Sequence, residues 1–229
     1  MTAPIRVLVV DDDVPTRVGV TTILASEPGI EVVGEAADGH EACDLARTLA
    51  PDVVLMDVQL PGIDGIEATR RITAAGDGAP RVLVLTTFDV DEYVVGSVEA
   101  GASGFLLKRA RAERIVEAVR LVADGEVLPI PARTAGLIAA AGSRASSSSA
   151  RFVPPLTERE ADVLILVARG LSNQEVADGL HLSVETVRTH LKHIYTKSGA
   201  RNRLQAVIAA FESGVVRLTP AGDDATGGL

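Results

Sequence analysis

Five times between residues 5 and 124, a run of four or five mostly apolar residues gives way to a stretch with helical periodicity. The runs are Arg6–Val10, Ile30–Val33, Val53–Met56, Arg81–Leu85 and Gly104–Leu107. They are β-branched or leucine-rich rather than alternating, the pattern of strands covered on both faces. The predicted helices between and after them are Pro15–Ser26, His40–Ala50, Ile66–Ala75, Asp91–Ala100 and Arg111–Asp124. Pro15 suits the first turn of a helix, where a missing N–H leaves no bond unmade. Strand–helix units repeated in this way demand a parallel sheet with helices on both faces. Right-handed crossovers leave few ways to order the strands.

The pattern changes near Gly125. Pro129 and Pro131 break the chain, residues 132–141 have the makings of a short helix, and Gly142 to Ser149 is polar and serine-rich. That stretch reads as a linker over residues 125–152. After Pro154-Pro155 every periodic segment is helical: Thr157–Arg169, Asn173–Leu180, Val184–Ser198 and Arg203–Glu212. Thr157 with Glu160 three residues on forms a capping box, and Gly170, Gly199 and Gly214 stand where helices should end. Four parts follow: an α/β unit over 1–124, the linker, a small all-α unit over 153–217, and a tail over 218–229. Charge divides along the same line. Residues 1–124 hold 11 basic and 21 acidic side chains, net −10, whereas residues 151–217 hold 9 and 7, net +2. Such asymmetry points to a nucleic-acid-binding half.

Polar residues gather at the ends of the predicted strands. Asp11 and Asp12 follow the first, Asp57 the third, Thr86 the fourth and Lys108 the fifth. In open parallel α/β sheets ligands bind beyond these carboxyl ends. Three carboxylates packed together repel one another and raise one another's pKa values. A hard divalent cation such as Mg²⁺, which prefers oxygen ligands, removes that conflict. The cation, Thr86 and Lys108 would then surround one anion, and a phosphoryl group suits this set because its transfer needs mainly positioning and charge neutralisation. Asp57, central along the chain, is the best nucleophile and would form an acyl phosphate. The plainer reading makes each Asp a turn or cap residue, Cys43 a small buried hydrophobe, His40 a surface residue and Met56 core. Phe88 and Tyr93 could pack inside or line a protein-contact face.

The segments Val7-Leu8-Val9-Val10-Asp11-Asp12-Asp13, Val53 to Gly65 with Pro61-Gly62, Val84-Leu85-Thr86-Thr87-Phe88 and Ala100 to Lys108 resemble the receiver domain of two-component response regulators. The resemblance spans residues 5 to about 124. It implies a flavodoxin-like, doubly wound, five-stranded parallel sheet, with Asp57 as phosphoacceptor. It implies Mg²⁺ held by Asp12, Asp57 and the Gln59 carbonyl, with Asp11 acting through water. Thr86 and Phe105 would be the switch pair, and Lys108 would hold the phosphoryl. Two positions depart from the family pattern: Arg109 stands where many receivers carry proline, and Thr87 where a smaller residue is frequent.

In the second half, Asn173–Leu180 and Val184–Ser198 are joined by His181-Leu182-Ser183, which is helix-turn-helix spacing. Ala177 is small enough for a close crossing, and Val176, Leu180, Leu182 and Val187 can bury between the helices. Ser183 can cap the second of them. There Arg188, Thr189, Lys192 and, less aligned, Lys197 oppose an apolar face of Val187, Leu191 and Ile194. Such a helix suits the DNA major groove; the bland alternative is a small bundle with a solvated basic face. Leu156 to Glu160, Gly170 to Ala177 and Thr186 to Arg203 resemble the LuxR-type four-helix DNA-binding domain over about 153–217. The resemblance implies base readout by Arg188, Thr189 and Lys192, with Ser183, Thr186 and Lys197 nearer phosphates. Ser198 replaces a leucine frequent in relatives. His190 and His193 lack acidic or cysteine company at ligand spacing, so a metal role is not expected.

Together the halves resemble the NarL/FixJ class of transcriptional regulators. That implies a regulator rather than a turnover enzyme, phosphorylated by a sensor histidine kinase, dimerising on activation and binding double-stranded promoter DNA. Self-dephosphorylation at Asp57 would be its only chemistry. Two rivals stand beside it. A Mg²⁺-aspartate phosphohydrolase would need an acid two residues after the nucleophile, where Gln59 stands. A regulator that ignores phosphorylation would be expected to lack the acidic pair or the lysine, and Asp11, Asp12 and Lys108 are all present. No apolar run approaches the ~20 residues of a membrane span, so no direct membrane insertion is expected. The start shows no signal-peptide pattern, and one cysteine excludes an internal disulfide framework. The expected compartment is the cytoplasm.

Overall fold

The computed structural model describes residues 3–76, 78–86, 91–126 and 152–216. The N-terminal unit alternates β1 (Ile5–Val10), α1 (Val14–Ala25), β2 (Ile30–Ala36), α2 (Gly39–Leu49), β3 (Val53–Asp57), α3 (Gly65–Thr73), β4 (Arg81–Thr86), α4 (Asp91–Glu99), β5 (Gly104–Leu107) and α5 (Ala112–Ala123). The five strands are parallel, in the order β2-β1-β3-β4-β5. This is the flavodoxin-like doubly wound arrangement, with its switch point between β1 and β3.

Strand side chains alternate between two cores, as a pleated backbone requires. Val7, Val9, Leu55, Leu83 and Leu85 pack with α1 and α5. Leu8, Val10, Val54, Met56, Val82 and Val84 pack with α2 and α3. Because both faces are covered, the strand sequences are apolar throughout, and this is why they were legible.

β2 runs three residues past its expected end at Val33. A register shift opposite Val7/Leu8 lets it continue through Gly34, where a Cβ would lie 2.7 Å from Leu49 Cδ1. Gly34 pairs with Leu8 inside the strand, and a side chain there would require Leu49 to give way.

The C-terminal unit holds α6 (Glu158–Ala168), α7 (Asn173–Leu180), α8 (Val184–Ser198) and α9 (Arg203–Glu212). Thr157 forms the expected capping box with Glu160, and Ser172 forms another with Glu175. Gly170, Gly199 and Gly214 all have positive φ at helix ends. Val163, Leu164, Val176, Ala177, Val187, Leu191 and Ile194 form its core. Ser198, the departure from the family pattern, turns its hydroxyl back to Ile194 O at 2.8 Å and accepts from Ala200 N. The expected short helix over 132–141, the serine-rich segment, the tail and the positions of Thr87 and Phe88 lie outside the described residues.

Candidate phosphoacceptor site and nucleic-acid interface

Strand order brings the ends of β1 and β3 side by side, with β4 and β5 following. Val10 pairs with Met56, Asp57 with Leu85, and Thr86 with Leu107. Carboxylate oxygens of Asp11, Asp12 and Asp57 consequently lie within 4.8 Å of one another. Asp11 and Asp57 are buried, while Asp12 faces solvent. Asp13 is not part of this set. It caps α1, accepting from Thr16 N at 3.0 Å, and its own N–H donates to Asp11 Oδ1.

Lys108 reaches across from the end of β5. Its Nζ lies 2.8 Å from Asp57 Oδ2 and 2.6 Å from Asp11 Oδ2, and its N–H donates to Thr86 O. Burial pushes the Asp57 carboxyl above its ordinary range, and the Lys108 bond offsets only part of that. Burial opposes the Lys108 charge too, but its bonds to Asp11 and Asp57 outweigh this and raise its pKa. One ammonium among three carboxylates leaves an excess of negative charge at an oxygen-rich rim. That donor set fits a hard divalent cation such as Mg²⁺. The Gln59 N–H donates to Asp57.

Thr86 is buried at the end of β4. Phe105 pairs with Val84, two residues earlier on the same face of that strand, so Thr86 and Phe105 are diagonal neighbours. Phe105 is half-buried and packs against two apolar clusters. Among the described residues the cis peptide is Val153–Pro154, so the bond after Lys108 is trans.

Two residues matter here that sequence reasoning did not single out. A Cβ on Gly65 would lie 1.8 Å from the Asp57 carbonyl oxygen, and one on Gly39 would lie 2.5 Å from Ile63 O. The start of α3 therefore rests directly on the backbone of Asp57. The only hint in the chain was the crowding of Gly and Pro over residues 61–65.

In the C-terminal unit, Ser183 caps α8, accepting from Thr186 N at 3.1 Å. Arg188, Thr189 and Lys192 are exposed, and Val187, Leu191 and Ile194 are buried behind them. Arg188 touches Glu185 loosely, at 3.6 Å between two exposed groups. Lys197 differs from the expectation. Its ammonium is 2.6 Å from buried Glu160 Oε2 and donates to Pro155 O, and its side chain is only 15 % exposed. It sits 37 residues from its partner in sequence, which is why helix periodicity placed it with the exposed cations. Its ammonium is held by protein oxygens rather than projected into solvent.

A second contact was not read from the sequence. Leu204 and Ile208 of α9 pack against Val94 and Val98 of α4, with Phe105 beside them. Asn202 Nδ2 donates to Gly101 O and Ala102 O, and Gln205 Nε2 to Val98 O. Glu126 Oε1 accepts from Asn173 N at 2.9 Å. Tyr93 packs with the N-terminal core. The signal was present in α9, whose sequence is apolar nearly all round and so demands cover on two sides.

Residues 7–120 match the response regulator receiver domain family, and residues 154–210 match the luxR family of bacterial regulatory proteins. The chain is 39 % identical to the transcriptional regulatory protein LiaR of Bacillus subtilis over 214 residues, 93 % of this chain and 99 % of that one. It is 38 % identical to the response regulator protein VraR of Staphylococcus aureus over 213 residues, with 93 % and 99 % covered. Among solved structures, the response regulator ChrA of a heme-sensing two-component system is 37 % identical, with 94 % and 100 % covered and a TM-score of 0.51. The chain belongs to the two-component response regulators that join a receiver to a LuxR-type helix-turn-helix domain. It is a DNA-binding transcriptional regulator of that family.

Proposed function

We propose that this regulator takes a phosphoryl group from a sensor histidine kinase onto Asp57 and, so modified, binds promoter DNA as a dimer. One observation carries the reading: three strand-end carboxylates meet, and a single lysine bridges two of them. Asp57 Oδ attacks phosphorus, the phosphorus–nitrogen bond of the donor phosphohistidine breaks, and the imidazole leaves to take up a proton. Lys108 then shifts its charge to the phosphoryl oxygens, and Thr86 donates its hydroxyl to one of them. Asp11, Asp12, Asp57 and the Gln59 carbonyl would hold Mg²⁺, which when bound neutralises charge on the transferring group. Hydrolysis of the acyl phosphate would end the signal, without turnover of an external substrate.

Phe105 links the site to the rest of the molecule. It lies beside Thr86 on one side and in the α4–α9 contact on the other. A Thr86 drawn toward a phosphoryl frees space into which Phe105 can move, and this loosens the contact that holds the two domains together. Such a local charge change biasing a two-state element fits a switch. Two freed DNA-binding domains would then place α8 in successive major grooves, one helical turn apart. Arg188, Thr189 and Lys192 would read bases, with Ser183 and Thr186 near the backbone. Among the described residues no helix is long and apolar enough to cross a membrane, and we place the protein in the cytoplasm.

Intact-mass measurement after incubation with acetyl phosphate and Mg²⁺ tests the first step. One phosphoryl is expected on the native chain, none on Asp57→Ala, and little after EDTA. Labelling that persists in Asp57→Ala overturns the assignment.

A further inference from the structure

The last turn of α8 is tied to the opening of α6. Glu160 is 4 % exposed, and its Oε2 accepts from Thr157 N at 2.8 Å and from Lys197 Nζ at 2.6 Å. Lys197 Nζ also donates to Pro155 O at 3.1 Å, and Val153 N donates to Lys197 O at 2.8 Å. His193 Nδ1 lies 3.8 Å from Glu160 Oε1. One residue before Glu160, the Arg159 guanidinium donates to Leu180 O, at the end of α7. Adjacent residues of one helical turn thus hold the C-terminal ends of both helices of the helix-turn-helix.

A lysine that serves a phosphate keeps its ammonium in solvent and lays its stem on the protein. Lys197 does the reverse. A buried ion pair adds little net stability over apolar residues of equal size, because desolvating both charges offsets their attraction. It does demand one geometry of both partners, since a displaced partner leaves the other charged, buried and alone. We propose that the Glu160–Lys197 pair is a positioning clamp. It sets the angle at which α8 enters the major groove, and Lys197 touches no DNA. The proposal rests on the DNA-reading role of α8, and the native chain, run first against the same library, tests that role separately.

The experiment uses the full chain with Lys197→Met, Glu160→Gln, the double variant and Lys197→Arg. A randomised duplex DNA library at several salt concentrations gives base preference and salt slope, and circular dichroism gives the melting midpoint. Each of Lys197→Met and Glu160→Gln should lower the midpoint, and the double variant should recover most of the loss. The recovered double variant should keep the native salt slope yet discriminate bases less sharply, and Lys197→Arg should retain more discrimination than Lys197→Met. A slope shallower by about one unit in the double variant would show a lost phosphate contact and overturn the proposal. Discrimination that returns together with the midpoint would make the pair merely structural and also overturn it. Lysine methylation of the native chain decides the matter if the double variant does not fold. Lys197 should resist the reagent equally with and without DNA, while Lys192 gains protection. Protection of Lys197 that depends on DNA counts against the clamp.

Discussion

Asp57 is a carboxylate the fold would rather keep neutral. Its pKa is raised in the folded chain, chiefly by burial. A raised carboxyl contributes its stability below the unfolded value and loses it as pH rises through the folded one. In metal-free buffer at neutral pH, Asp57→Asn should therefore melt above the native protein. The gap should narrow as pH falls through the carboxylate range, and a calorimetric pH series showing no such narrowing would remove burial as the cause. If the folded cluster holds Mg²⁺ as proposed, the ion should raise the native midpoint in a concentration-dependent way, and should do so less in Asp57→Asn. Gly65 makes a steric prediction at the same place. Adding a methyl 1.8 Å from the Asp57 carbonyl oxygen must push α3 away. Gly65→Ala should cost on the order of 1–3 kcal/mol in urea unfolding and slow labelling by acetyl phosphate. Labelling at the native rate would show that the phosphoacceptor does not depend on that contact.

α8 presents two opposed faces, and each can be tested. Ser183 accepts from Thr186 N, so Ser183→Ala should destabilise the C-terminal domain by about 1 kcal/mol, visible as faster amide exchange in the first turn of the helix. On the exposed face, Arg188 is the side chain suited to bidentate contact with a guanine edge. Its loss should weaken operator binding by roughly 1–3 kcal/mol and relax preference at one position per half-site. Intact preference in Arg188→Ala would move the readout elsewhere on the helix. Acid should act on the inner face. Burial alone would raise the Glu160 carboxyl, but its bonds to Lys197 and Thr157 outweigh this and hold it low. Stability from a lowered carboxyl is present above the unfolded value and lost as pH falls through the folded one. The C-terminal domain should therefore loosen only at distinctly acid pH, and Lys197→Met, which removes a bond that holds the carboxyl low, should weaken that pH dependence.

The two domains meet through a small apolar cluster and a few side-chain bonds to backbone, on the face of α4 that adjoins Phe105. α8 takes no part in that cluster. Ile208 belongs to it, rather than to the core of its own domain. Ile208→Glu should therefore leave each domain folded, increase the radius of gyration in small-angle scattering and raise DNA affinity of the unphosphorylated chain. A native radius in this variant would show that other contacts hold the domains together. If a receiver-mediated dimer uses the α4–β5 face, it can form only after this contact opens.

Local rules sufficed for much of this protein. Strands buried on both faces are apolar throughout, helix starts carry Ser, Thr or Asp, and helix ends carry glycine. The elements and the meeting of the strand-end carboxylates were therefore legible, since parallel strands deliver their last residues to one rim. The faces of α8 followed from helical period alone. What period cannot show is contact between residues far apart in the chain. Lys197 belonged by spacing with the exposed cations, yet Glu160 draws it inward. Gly34 lay beyond the expected strand end, yet it pairs with Leu8 inside the strand and packs under Leu49. The docking of α9 on α4 depended on two apolar surfaces more than a hundred residues apart. Chain chemistry decided which groups were available, and tertiary packing decided which of them face solvent, because burial and pairing are properties of neighbours in space.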